Sequence, residues 1–115
     1  MLYTVTLKKN HEFRRLYAKG QSAAGAYLVL YAKKTRRGGN RVGFTVSTKL
    51  GKAVTRNRVR RRLREIYRLH EAELLPGADM VVVARGRAVG ADYWQLDRAF
   101  LSACKKLKLL REEKP

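Results

Sequence analysis

Residues 49–68, KLGKAVTRNRVRRRLREIYR, hold nine basic side chains and a single acid, Glu65. Arginine outnumbers lysine in this run, and a planar guanidinium donates two parallel hydrogen bonds to a phosphate where an ammonium offers only a point charge. The chemistry on offer is recognition of ordered phosphate. Asn57, set between Arg56 and Arg58, adds a donor and an acceptor suited to a ribose hydroxyl, a base edge or a hydrated metal, and equally to capping a helix start. A rotation of about 100° per residue puts Val59, Leu63, Ile66 and Tyr67 on one arc. It gathers Asn57, Arg61, Arg64 and Arg68 on the opposite side, with Arg58, Arg60 and Arg62 flanking the apolar stripe. Solvated basic faces ordinarily alternate with acids at i,i+4, which relieves repulsion, and this segment lacks that relief. Its charge therefore calls for a counter-charge outside the chain.

No other constellation competes. His11 and His70 are isolated, and the acids are too scarce for a two-metal hydrolytic cluster. His70 lies near the apolar arc and reads as a packed residue, and Cys104 reads as buried core. No catalytic set and no metal-ligating set is expected in the protein.

The whole chain repeats the theme of the basic segment. Lys and Arg number 27 against 9 Asp and Glu in 115 residues, a net charge of +18 that a folded domain tolerates best beside a polyanion. A 45% hydrophobic content excludes a disordered basic tail, which lacks the aliphatic residues to offset chain entropy. The length fits one domain, residues 1–115, with a frayed tail from about residue 111. A single cysteine excludes an intrachain disulfide and a cysteine metal cluster. The start, MLYTVTLKKN, lacks the apolar core of a signal peptide, and no apolar run nears the roughly 18 residues of a membrane span. The expectation is a soluble, cytoplasmic protein.

The elements that position the basic segment follow from periodicity. Asn10 is placed to cap a helix with Phe13, Leu16 and Tyr17 inward and Gly20 as its stop. AYLVLYAKK reads as a strand with Tyr27, Val29 and Tyr31 on one face and Leu28, Leu30 and Ala32 on the other. TRRGGN then turns the chain into RVGFTVS, where Val42, Phe44 and Val46 point inward, and the two strands read as a hairpin. The arginine helix runs over about 55–75, capped by Thr55 and ended by Pro76-Gly77. DMVVVAR follows as an apolar, central strand and GRAVGA as a loop. Asp92 with Gln95 forms a capping box for a last helix that buries Tyr93, Leu96, Phe100, Ala103, Cys104 and Leu107. The economical architecture is an α+β single-domain sandwich of a small central sheet with about three helices. Parallel strands on either side of the arginine helix would ordinarily be joined by a right-handed crossover.

The run GFTVSTKLGKAVTRNRVRRRLRE, with RNR at Arg56-Asn57-Arg58, resembles the signature of the bacterial ribonuclease P protein component. HEFRRLYAKG is similar to that family's first helix, YLVLYA to its first long strand and DMVVVAR to the strand after its arginine helix, so the likeness covers nearly the whole chain. The resemblance implies a ribosomal-protein-like α+β fold with a left-handed crossover around the arginine helix. It implies that Lys49, Lys52, Arg56, Asn57, Arg58, Arg60, Arg61, Arg64 and Arg68 face a catalytic RNA. It also implies that Phe13, Tyr17, Val29 and Tyr31 line a cleft for the single-stranded 5′ leader of precursor tRNA. Stacking on aromatic faces makes little sequence demand, which suits varied leaders. For Phe13 ordinary core packing is an equal alternative. Tyr17 stands where the family often has phenylalanine, and Thr48 where lysine is common.

On this resemblance the protein is a non-catalytic subunit of a ribonucleoprotein endonuclease, monomeric before assembly. Its partners are the ribonuclease P RNA and precursor tRNA, and no membrane. The protein itself holds no cofactor, and the catalytic magnesium sits in the RNA. The alternative is a structural or ribosomal RNA-binding protein without a processing role, which explains the charge but leaves the first-helix aromatics without a task. A stand-alone nuclease is disfavoured by the missing acid-base set.

Overall fold

A computed structural model describes residues 4–36 and 38–111. The element order is β1 (Thr4–Thr6), α1 (Asn10–Lys19), β2 (Gln21–Ala24), β3 (Leu28–Lys34), β4 (Asn40–Thr45), α2 (Ala53–His70), β5 (Ala78–Ala84) and α3 (Tyr93–Lys106). Short 3-10 turns at Thr48–Leu50, Glu71–Glu73 and Gly86–Ala88 join them. The strands form one mixed sheet in the order β1-β4-β5-β3-β2. Among the described residues no helix is long and apolar enough to cross a membrane.

The expected hairpin does not form. β5 inserts between β3 and β4, antiparallel to the first and parallel to the second. The reason lies in its side chains: Met80 and Val82 enter the main core while Val81 enters a smaller core on the other face. A strand apolar on both faces belongs at the centre of a sheet. The connection 35–39, of which Arg37 lies outside the described residues, is long enough to step over one strand, about 10 Å. Asn40, expected as a turn residue, is buried as the first residue of β4. Its side chain donates to the Leu75 carbonyl (3.1 Å) and accepts from the Ala78 N–H (2.9 Å), pinning the start of β4 to the start of β5.

The hand of the β4-α2-β5 connection can be read from the chirality of single residues. Val42 turns its side chain into the core beneath α2 while its carbonyl accepts from Leu7, on the β1 side. For an L-residue these two directions place β1 to the right and β5 to the left of an upward β4 seen from α2. Leu28 agrees, with its side chain in the same core and its carbonyl turned to Gly25 on the β2 side. The crossover is left-handed, against the usual rule.

The helices divide between the faces. Leu16 of α1 packs with Leu7 and Val81 on one face, beside half-buried Phe13, Tyr31 and Val83. On the other face Val59, Leu63, Ile66 and Tyr67 of α2 meet Leu96, Phe100, Ala103 and Cys104 of α3 over Leu28, Leu30, Val42, Met80 and Val82. Tyr27 precedes β3 and packs on this second face, not beside Val29 and Tyr31 as its spacing predicts. Tyr67 is fully buried, edge-on to Phe44 and Phe100, and its hydroxyl pairs with Thr4 Oγ1 at 2.8 Å. Burial pushes its phenol up to about 12, and burial likewise pushes the Cys104 thiol up to about 12. Truncating Leu63 to alanine is expected to cost about 2–5 kcal/mol.

Four helix ends are informative. Lys9 caps α1 and Lys52 caps α2, neither through its side chain, so Asn10 and Thr55 lie inside their helices. The α3 capping box is present as expected, with Asp92 accepting from the Gln95 N–H and Gln95 from the Asp92 N–H. Helix α2 ends at His70 and Leu74 is extended, although buried. Arg111, assigned to the frayed tail by sequence, is held by its N–H on the Glu73 carbonyl at 2.7 Å; residues 112–115 lie outside the described residues.

Candidate nucleic-acid interface

The loop before α2 is built by local hydrogen bonds. Ser47 Oγ accepts from the Lys49 N–H and opens the 3-10 turn Thr48–Leu50. Gly51 follows at φ 134°, a conformation favouring glycine, and redirects the chain so that Ala53 begins the helix. Arg56 returns its Nε to the Gly51 carbonyl at 3.2 Å. Lys49, Thr48 and Lys52 are exposed on this loop, continuous with the helix start.

Along α2, Asn57, Arg58, Arg61, Arg64 and Arg68 are exposed, at three- and four-residue spacing on one side, while Val59, Leu63, Ile66 and Tyr67 are buried on the other. The predicted face is therefore continuous, and Arg58 joins its exposed middle. Among the described residues no acid lies within ion-pair distance of Lys49, Lys52, Arg56, Arg58, Arg60, Arg61 or Arg64. Arg68 is different. It makes two bonds to Glu65, at 2.5 and 3.1 Å, and the hydrogen bond from Arg68 holds the Glu65 carboxyl below its usual range. The pair is about half exposed and offers both signs to a partner. Asn57 sits in the second turn of α2, where its Oδ1 accepts from Arg60 at 3.0 Å, so it does not cap the helix. Arg62 is half-buried and donates to the Ala91 carbonyl, clamping α2 to the start of α3.

The aromatic residues of α1 converge on a groove of about 630 Å³. Its walls are Asn10, Phe13, Arg14 and Tyr17 from α1, Phe44, Thr45 and Val46 from the end of β4, and Arg60 from α2. Phe13 fits because residue 43 is glycine; a Cβ there would lie 2.5 Å from the ring. Tyr17 meets Tyr31 edge-on at 5.0 Å and shares a hydrogen bond with Thr45 Oγ1 at 2.9 Å. Phe13, Tyr17 and Tyr31 thus come together. Val29 shares their sheet face, half-buried, without lining the groove. Sequence reasoning missed Arg14 and Asn10, although their spacing from Tyr17 on one helix face signals them. It also missed that Arg60 joins the groove to the arginine face.

Four further acids are committed elsewhere. Glu12 and Asp79 flank Arg41, with Asp79 bonded at 2.6 and 2.9 Å, and the Asp79 hydrogen bonds keep the Arg41 pKa raised despite burial. Asp97 (2.6 Å) and Glu73 hold the two ring nitrogens of His70. Burial opposes charging of that imidazole, but hydrogen bonds to the two carboxylates outweigh it and raise its pKa. Among the described residues no group of three or more His, Cys, Asp and Glu side chains is arranged to hold a metal ion.

The family profile described as Ribonuclease P matches residues 1–108. The chain belongs to the ribonuclease P protein family. The ribonuclease P protein component of Natranaerobius thermophilus is 47% identical over 112 residues, covering 97% of each chain. Among solved structures, the RNase P protein of Staphylococcus aureus superposes with a TM-score of 0.84 at 33% identity, covering 92% of this chain and 97% of that one. The RNase P protein of Thermotoga maritima gives 0.78 at 28% identity, covering 95% and 98%. A ribonuclease P protein is a subunit of a ribonucleoprotein endonuclease.

Proposed function

We propose that this chain binds the ribonuclease P RNA through α2 and its preceding loop, and the 5′ leader of precursor tRNA through the α1 groove, assisting removal of the leader in the cytoplasm. The observation that carries the reading is the continuous exposed face of Arg58, Arg61 and Arg64 without acidic partners. Lys49, Lys52, Arg56, Asn57, Arg60 and Arg68 extend it. Arginine forks on ordered RNA phosphates supply position and affinity, and release of counterions makes that affinity salt-dependent. Tyr17 and Phe13 line the groove and offer aromatic surface to unpaired leader bases, with Tyr31 edge-on behind Tyr17 and Val29 on the adjoining sheet face. Arg60 lies where leader and RNA would meet.

The RNA supplies the catalytic magnesium in this reading. Glu12 and Asp79 are turned to Arg41, Glu65 to Arg68, Glu73 and Asp97 to His70 and Asp92 to the α3 cap, which does not suit a magnesium site of the protein's own. The chain enters assembly as a monomer. Reconstitution tests the proposal: the purified protein alone leaves precursor tRNA uncut, and added to ribonuclease P RNA at low magnesium it restores 5′ cleavage. Leader cleavage unaltered by the protein would reject the reading in favour of a structural RNA-binding role.

A further inference from the structure

Trp94 is the chain's single tryptophan and remains 66% exposed, while Leu96 and Phe100 of the same helix are fully buried. Its ring is not loose: Tyr93 meets it edge-on at 5.6 Å. At about 100° per residue, Arg98, Ser102 and Lys105 fall on the same arc of α3, and all three are exposed. The acids nearby are engaged, Asp97 with His70 on the inner side and Asp92 with the helix N-terminus. Arg98 and Ser102 line a pocket with Ala24, Gly25, Ala26 and Tyr27 at the β2–β3 turn, while the N-terminal end of the helix adjoins α2. Arg62 donates to the Ala91 carbonyl just before α3, and the Tyr93 phenol lies within electrostatic reach of Glu65 and Arg68.

We propose that the outer face of α3 is a second RNA-contacting surface, on which Trp94 stacks against an unpaired base of the ribonuclease P RNA and Arg98 takes a neighbouring phosphate. Protein interfaces surround exposed aromatics with further apolar area and deplete lysine. Trp94 shares its arc with the cations Arg98 and Lys105, beside Ser102 and half-buried Leu101, and an aromatic beside cations holds unpaired nucleic acid by stacking and charge. The Trp94 end of this surface meets α2 through its neighbours Ala91 and Tyr93, so one RNA bound to α2 is within reach of Trp94. The leader groove lies between α1 and the N-terminal half of α2, away from this corner. This inference rests on the RNA-binding reading above.

With excitation at the red edge of indole absorption, where the six tyrosines do not absorb, the emission of the intact protein reports this single tryptophan. Titration with ribonuclease P RNA is expected to quench that emission and to shield it from acrylamide, in step with complex formation followed separately by mobility shift. Trp94→Ala is expected to weaken binding roughly tenfold with urea stability unchanged, Trp94→Phe to retain most of the affinity, and Arg98→Ala to reduce the salt slope by about one. A complex seen by mobility shift with unaltered emission, or a Trp94→Ala variant that binds as tightly as the parent, overturns the inference while leaving the α2 reading intact. A spectral shift that follows protein concentration without RNA overturns it in favour of self-association. Absence of any complex strikes the α2 reading itself, and this inference with it.

Discussion

Arg41 and Arg61 are the same side chain in opposite circumstances. Arg41, on β4, is only 22% exposed and is enclosed by Glu12 and Asp79, so its charge is spent joining α1 to the sheet. Arg61, on α2, is exposed and has no acid within reach among the described residues. For these two side chains, acids stand where the cation is buried and are withheld where it faces outward, so Arg41 holds the fold together and Arg61 is available to a ligand. Arg68, exposed beside Glu65, and Arg62, held by the Ala91 carbonyl, lie between these extremes.

The largest expected effect breaks the outward set. Replacing Arg61 and Arg64 by glutamate should lower affinity for ribonuclease P RNA by about two to three orders of magnitude, since two phosphate contacts become repulsions. The urea midpoint should hold or rise, because self-repulsion falls. A parallel loss of stability would show that these arginines are structural. Breaking the inward set should do the reverse. Arg41→Met leaves Glu12 and Asp79 facing each other without their cation, and should cost about 2–3 kcal/mol in urea unfolding. RNA affinity of the folded variant should stay within about twofold of the parent.

Smaller effects sharpen the contrast. Sulfate or phosphate should raise the melting temperature by several degrees, because anions bind the native surface preferentially. The gain should shrink when Arg61 and Arg64 are glutamate, and an equal gain would place the anion elsewhere. The smallest effect concerns His70, whose folded pKa lies above its unfolded value. Its stabilisation is fully present below the unfolded value and is lost as pH rises through the folded one. The difference in stability between the parent and His70→Gln should narrow across that window, as read from urea melts at stepped pH.

Much of this arrangement is legible in the sequence. The buried and exposed sides of α2 follow from its 3.6-residue periodicity, the α3 capping box from Asp92 and Gln95, and the central place of β5 from its apolar run. The strand order is not legible, because pairing depends on which neighbours bury both faces of β5, a property of no local segment. β1 and β2 escaped because three or four residues carry too little alternation to stand out. The site divides the same way. Exposure of Arg61 and Arg64 follows from spacing, whereas the outward place of Arg58, expected beside the apolar stripe, the Glu65 pairing of Arg68 and the junction made by Arg60 depend on side-chain geometry.

The most direct test is the salt dependence of binding to ribonuclease P RNA, compared between the parent and a variant with Arg58, Arg61 and Arg64 replaced by alanine. Each phosphate contact removed should flatten the log–log slope by a little under one unit, so the variant should lose about two to three units. An unchanged slope would contradict the account, by showing that the acid-free side of α2 does not meet the RNA.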